Sequence, residues 1–244
     1  VNVALIADIH ANLQALEAVL EDADGCACDQ LWCLGDIVDY GADPEACIEL
    51  VRDRASTCLA GNHDMAVTGA LSLEQFSDVA VAAARYSQRV LPADSIAYLR
   101  TLEPSRECGD LCGLYHGSPR DPIWEYLLSP LQAELSFDSA PQRLNFIGHS
   151  HVALAFHREE GESATGETHH AGEELDLATG SWLINPGSVG QPRDGDPRAA
   201  WLELDLDAPK ARFHRVRYDV RGAAIAIRAA HLPAILADRL SHGQ

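Results

Sequence analysis

Five short polar clusters, each standing directly after an apolar run, recur between residues 8 and 151. They are Asp8-Ile9-His10, Gly35-Asp36-Ile37-Val38-Asp39, Gly61-Asn62-His63-Asp64, His116 and Gly148-His149-Ser150-His151. Any one of them, His116 for example, reads most simply as a satisfied polar group at the end of a strand. The set does not, because buried polar groups are few in any fold and five in succession need a shared purpose. In open α/β sheets, ligands bind where strands hand over to their loops. The pattern therefore calls for an α/β chain whose strand ends converge on one place.

The surrounding sequence supplies the elements. Residues 3–7 read as a central parallel strand, apolar on both faces. From Ala11, Leu13, Leu16, Val19 and Leu20 recur at helical spacing to about Asp24, giving a βαβ crossover. Leu31 to Leu34 form a second strand, and Asp43 and Pro44 are an N-cap and first residue for the next helix. A third strand near 56–59 delivers the Gly61 cluster. Residues 72–102 read as two helices, the second starting near Asp94 after Pro92, an insertion without evident chemistry. Strands at 111–115 and 143–147 precede His116 and His149. Between them, Trp124 and Tyr126 lie in a proline-marked loop, where they either line a pocket or plug the loop.

Beyond His151, alternating runs near 152–157, 182–185, 199–206 and 211–217 suggest a second, mostly antiparallel sheet. Residues 159–174, rich in Gly, Glu and His, read as a mobile hairpin tip that leaves His169 and His170 in solvent. The Ala-rich tail from about Val220 is helical and breaks at Pro233. At 244 residues with no internal repeat or linker, the chain is expected to form a single domain over 1–244.

Charge and cysteine usage narrow the partners. A net charge of −19 argues against long nucleic acid or an anionic membrane, both of which need a basic surface. No apolar run reaches membrane-spanning length, and residues 1–7 lack the basic flank of a signal peptide. Seven cysteines show no paired framework, so a reducing cytoplasm is the expected compartment. Cys26 and Cys28 with Cys108 and Cys112 fit zinc spacing poorly, and buried thiols are expected. A homo-oligomer is compatible with the sequence.

The clusters carry a specific chemistry. Two divalent cations roughly 3.5–4 Å apart need an anion with two oxygens to link them, and Asp36 is placed for this. Asp8, His10 and His151 then complete one metal site, and Asn62, His116 and His149 the other, a mixed N/O set suited to Mn, Fe, Zn, Ni or Mg, with Mn placed first. Metal-bound hydroxide would attack phosphorus in line. His63, next to a ligand yet free, would protonate the leaving oxygen, and Asp39 would hold its imidazole. The loop Asn185 to Arg193 either sets backbone amides and Arg193 beside an anion or is only a turn.

Taken in order, D-x-H, G-D-x-x-D, G-N-H-D, a lone His and G-H-x-H, the chain resembles the calcineurin-like metallophosphoesterase family, from Asp8 to about Arg198. Asp8-Ile9-His10-Ala11-Asn12, Tyr40-Gly41, His116-Gly117-Ser118-Pro119 and Asn185 to Arg193 are similar to its small prokaryotic phosphodiesterase-like branch. The resemblance implies a four-layer α/β/β/α sandwich with two mixed sheets, the metal ligands above, and two-metal hydrolysis of a small phosphodiester or phosphomonoester; Asn62, His63 and Arg193 are the residues expected to contact substrate. Protein phosphatases of the family carry Arg where Tyr40 stands, which argues against a phosphoprotein or dinucleotide tetraphosphate. Two alternatives remain: a non-catalytic scaffold like the family's retromer subunit, and a nuclease. Retention of all seven ligands together with His63 favours catalysis over the first, and acidity weighs against the second.

Overall fold

The computed structural model describes residues 1–244. In chain order the elements are β1 (Asn2–Ile6), α1 (Leu13–Gly25), β2 (Gln30–Cys33), α2 (Pro44–Arg54), β3 (Thr57–Cys58), α3 (Asn62–Val67), α4 (Asp78–Val90), α5 (Ala93–Leu99), β4 (Ser105–Cys108) and β5 (Cys112–Tyr115). There follow α6 (Pro130–Phe137), β6 (Leu144–Phe146), β7 (Ala153–Arg158), β8 (Thr165–Thr168), β9 (Glu174–Asp176), β10 (Ser181–Pro186), β11 (Ala199–Asp205), β12 (Lys210–Val216), α7 (Val220–Ala229) and α8 (Ala234–Asp238). They build two six-stranded sheets, ordered β3-β2-β1-β11-β12-β9 and β4-β5-β6-β10-β7-β8.

Side-chain alternation along β1 explains the layering. Val3 and Leu5 point into a core shared with Leu114, Phe146 and Ile184 of the other sheet, while Ala4 and Ile6 face Leu16 and Val19 of α1 and Ile48 of α2. On the far side, Leu154, Phe156 and Leu183 pack against Ala133 and Phe137 of α6. Two sheets with helices on both outer faces give the expected four layers and α/β class.

The strand partners differ from the reading above in two respects. β11 and β12 do not belong to a separate antiparallel sheet; β11 pairs antiparallel with β1, Val3 opposite Leu204 and Leu5 opposite Leu202, and so extends the first sheet. Nor is β1 parallel on both sides, since only β2 runs with it. Alternation marks a strand but not its neighbour, and here Leu202 and Leu204 reach the inter-sheet core only beside β1. The short, polar edge strand β4 carries no apolar signal in the sequence. The 159–174 segment is also more ordered than expected: β8 pairs with β7, and His169, 7% exposed, lies stacked on Phe213 with centroids 4.6 Å apart. His170 is exposed, as expected. No helix is long and apolar enough to cross a membrane.

Candidate metal centre

Five loops that leave the carboxyl ends of β1, β2, β3, β5 and β6 meet at one place, together with His151 just before β7. Their shape is forced. Asp8, His10, Ala11, Asp36, Asp39, Tyr40, His149 and His151 all hold positive φ, a conformation that L-residues with side chains avoid. Each turn is locked by buried hydrogen bonds. The carboxylate of Asp64 accepts from the backbone N–H groups of Asp36 (2.8 Å), Ile37 (2.9 Å), Val38 (3.2 Å) and Gly61 (2.9 Å), tying the second and third loops together. Gly61 must be glycine here, because a Cβ would fall 1.9 Å from Asp36 Oδ1.

The loop 185–193 is a brace. Asn185 Nδ2 donates to Gly148 O and Ser150 Oγ, and Ser188 Oγ donates to Asp8 O. The amides of Val189 and Gly190 donate to Ala7 O and Asp8 O, and that of Arg193 to His151 O. These N–H groups are therefore committed to backbone, and the anion-facing amides considered above are not formed at those positions. Arg193 itself is half-buried beside the centre, its Nη2 donating to Gln191 Oε1 at 3.1 Å.

The donors form two groups. Asp8, His10, Asp36 and His151 offer ligand atoms within 4.8 Å of one another, and so do Asp36, His116 and His149; all are buried. Asp36 alone belongs to both. Its Oδ1 accepts from the His63 N–H (2.9 Å), and its Oδ2 stands 3.6 Å from His10 Nε2 and 3.4 Å from His116 Nε2. Asn62 Oδ1 lies 3.1 Å from His116 Nε2.

The proton inventory shows what these groups lack. The Nδ1 atoms of His10, His116 and His151 face the carbonyl oxygens of Val38 (3.1 Å), Leu34 (2.9 Å) and Gln191 (2.7 Å). A carbonyl only accepts, so each Nδ1 carries the hydrogen, and in His10 and His151, which burial keeps neutral, Nε2 presents a lone pair. His10 Nε2 and His151 Nε2 then confront each other at 3.1 Å, acceptor against acceptor. Asp8 Oδ2, Asp36 Oδ2 and His149 Nε2 are buried without a hydrogen-bond partner. Buried acceptors without donors are costly. Cations of the hard-to-borderline class would satisfy them, and the donor set fits two.

Titration follows the same crowding. Burial pushes the imidazoles of His10 and His151 well below their usual range, and that of His149 down to about 3. Burial also lifts Asp8 to about 7. For His116, burial opposes the charged form, but the nearby Asp36 carboxylate outweighs it and raises the ring to about 9.

His63 stands apart from both groups. Its Nδ1–H donates to Asp39 Oδ2 at 3.0 Å and leaves Nε2 free. Burial works against its protonation, yet Asp36 and Asp39 prevail and its affinity for a proton rises. Asp39 in turn accepts from Ser87 Oγ at 2.8 Å. Ser87 lies on α4, and Phe76, just before that helix, meets the His63 ring edge-on with centroids 5.1 Å apart. The insertion read as chemically silent therefore supports the site from behind, which only packing reveals. Trp124 touches Phe76, and Tyr126 stacks on His149 at 4.1 Å, so these aromatics line the centre rather than plug a loop. Asp64 was legible in the sequence as the last letter of its cluster, but its role in gathering four amides was not.

Comparison with known proteins places the chain among relatives. Residues 1–207 match the model for the calcineurin-like phosphoesterase superfamily domain. The crystal structure of a metallophosphoesterase from Sphaerobacter thermophilus is similar with a TM-score of 0.90 and 43% identity, covering 100% of this chain and 99% of that one. An uncharacterized protein of Methanocaldococcus jannaschii is 37% identical over 99% of this chain and 98% of its own length. A hypothetical protein from Pyrococcus horikoshii OT3 shares the fold, with a TM-score of 0.80 at 20% identity, 100% of this chain and 98% of that one being covered.

Proposed function

This chain belongs to the calcineurin-like phosphoesterase superfamily, and from that premise we propose that it is a two-metal hydrolase of small phosphodiesters or phosphomonoesters. The observation that carries the reading is the set of buried polar atoms left unsatisfied: His10 Nε2 against His151 Nε2 at 3.1 Å, with Asp8 Oδ2, Asp36 Oδ2 and His149 Nε2 lacking any hydrogen-bond partner. Asp8, His10 and His151 would hold one cation, Asn62, His116 and His149 the other, and Asp36 would link them. When bound, such cations acidify water and neutralise charge on phosphoryl oxygens.

The remaining roles fall to this chain's own groups. His63, anchored through Nδ1 by Asp39, presents Nε2 to the leaving oxygen and gives it a proton. Ser87 holds Asp39 so that the imidazole stays in one orientation. Arg193 contributes a cation toward substrate phosphate. Manganese is the first ion to test, and the seven unpaired cysteines support a cytoplasmic setting.

The test is elemental analysis of protein prepared with manganese, alongside turnover of a chromogenic phosphodiester and a phosphomonoester. Two ions per chain are expected, with loss of both ions and activity on chelation. A metal content near zero, or turnover indifferent to chelator, overturns the reading.

A further inference from the structure

The loop that braces the centre continues into an arrangement that hydrolysis at two metals does not require. Arg193 Nη2 and Arg239 Nη1 donate to the same acceptor, Gln191 Oε1, at 3.1 and 3.2 Å. Gln191 is itself fully enclosed at 1% exposure, and its carbonyl oxygen holds Nδ1 of His151 at 2.7 Å. One residue thus ties a metal-ligand candidate to two half-buried guanidinium groups.

The charges around this pair are unbalanced. The two acidic residues of the adjoining loop are already engaged, Asp194 by Arg215 and Asp196 by Arg198 at 2.6 Å. Neither Arg193 nor Arg239 enters an ion pair, and Arg193 Nε is buried without a partner. Arg193 acts at longer range on the buried Asp8, but no carboxylate stands within ion-pair distance of either guanidinium, in a chain of net charge −19. Like charges repel, and burial together with Arg193 lowers the proton affinity of Arg239. An oxyanion set between two planar guanidinium groups would relieve this, since each offers paired N–H donors.

The pair is also held in place. Gly195 N–H donates to Gly243 O at 3.0 Å, and Gly243, at φ +63, packs so tightly on Asp196 that a Cβ would lie 2.7 Å from its backbone. Leu240 is buried with Tyr40 and with Ala80, Ala83 and Ile227. The tail that carries Arg239 is therefore docked against the loop that carries Arg193, although it lies past residue 207, where the match to the family domain ends.

We propose that Arg193 and Arg239 form a second oxyanion subsite, which grips a phosphoryl group of the substrate other than the one hydrolysed. Preferred substrates would then be phosphate esters that carry a second phosphoryl group. The proposal rests on the phosphoesterase reading and sharpens the part Arg193 plays in it.

The experiment uses manganese-loaded full-length protein and non-hydrolysable ligands, alkane bisphosphonates of graded chain length against the matching monophosphonates, titrated by calorimetry. At least one bisphosphonate is expected to bind about tenfold tighter than its monophosphonate, the size of one good charge-assisted contact. Arg239→Gln should remove that advantage while shifting monophosphonate affinity less than about twofold. Arg239→Lys should restore part of it, which a misfolded tail would not, and the exposed Arg221→Gln should keep all of it. An advantage missing from the parent, or one that survives Arg239→Gln, overturns the proposal. Equal weakening of both ligand classes also overturns it and assigns Arg239 to the scissile phosphoryl group. The readout needs no turnover, so a protein that holds metal and discriminates these ligands yet hydrolyses no ester would sink the enzymatic reading and leave the subsite standing.

Discussion

His63 and His169 are both nearly buried, and each donates its Nδ1–H to a carboxylate, at 3.0 Å to Asp39 and 2.8 Å to Glu173. Their settings are otherwise opposite. Asp39 is fully enclosed and held by Ser87, whereas Glu173 has nearly half its side chain in solvent. His169 lies flat on Phe213, a ring used as core surface. His63 stands among the imidazole of His10, the rings of Tyr40 and Phe76, and acceptors that have no donor. Burial and a carboxylate partner therefore do not make a histidine functional. What separates the two regions is whether the neighbours leave electron pairs unfilled.

The comparison breaks most sharply at Asp36. Asp36→Asn keeps the side-chain size but removes the anion shared by both ligand groups, so at least one metal and all measurable turnover should be lost. Metal analysis of the variant checks this, and retention of two ions would show that Asp36 does not link them.

His63→Ala removes no proposed ligand. Metal content should survive while turnover falls by roughly 10²–10⁴, the usual worth of a positioned acid. The fall should shrink for nitrophenyl esters, which leave without a proton, and persist for alkyl esters; loss of metal or an equal fall on all esters would reassign His63.

Ser87→Ala tests the support behind that histidine. Loss of one hydrogen bond to a buried carboxylate should lower turnover of alkyl esters by about tenfold, with little change for nitrophenyl esters. A uniform drop on both would mean the variant disturbs the helix and not the proton donor.

In the other region, His169→Ala should leave turnover within error but lower stability in denaturant by about 1–2 kcal/mol through the lost ring stack. Glu173→Gln should act more weakly and with pH. Hydrogen bonds from His169 and from the His170 backbone hold the Glu173 carboxyl below its usual range. Its contribution is therefore present above the unfolded carboxyl value of 4.5 and fades as pH falls through the lower folded value. Melting temperatures of parent and variant should differ at neutral pH and converge in acid; a constant gap would deny the linkage.

The clusters were legible because their physics is local: an apolar run that stops at Asp8-Ile9-His10 or His149-Ser150-His151 says both strand and exit. The same held for α1, with its apolar spacing from Leu13, and for the break at Pro233. Residues whose role depends on distant chain were not legible. His169 is buried by Phe213 on β12, which its own Gly- and Glu-rich surroundings do not announce. Ser87 reaches Asp39 only because α4 packs behind the second loop, and Arg239 reaches Gln191 only because the tail folds back onto residues 193–196. The placement of β11 beside β1 is of the same kind, since period-two alternation names a face and not a neighbour.

The positive φ angles of the ligand loops have a consequence for heredity and engineering. Each such residue holds a conformation roughly 1–2 kcal/mol above its relaxed alternatives, and Asp8, Asp36, Asp39 and His151 are among those that do so here. Glycine at these positions would ease the backbone, so drift under selection for stability alone should erase them. A laboratory screen for heat tolerance that ignores activity should then draw Gly into these turns first, and every such gain would delete a candidate metal ligand or, at Asp39, the carboxylate that holds His63.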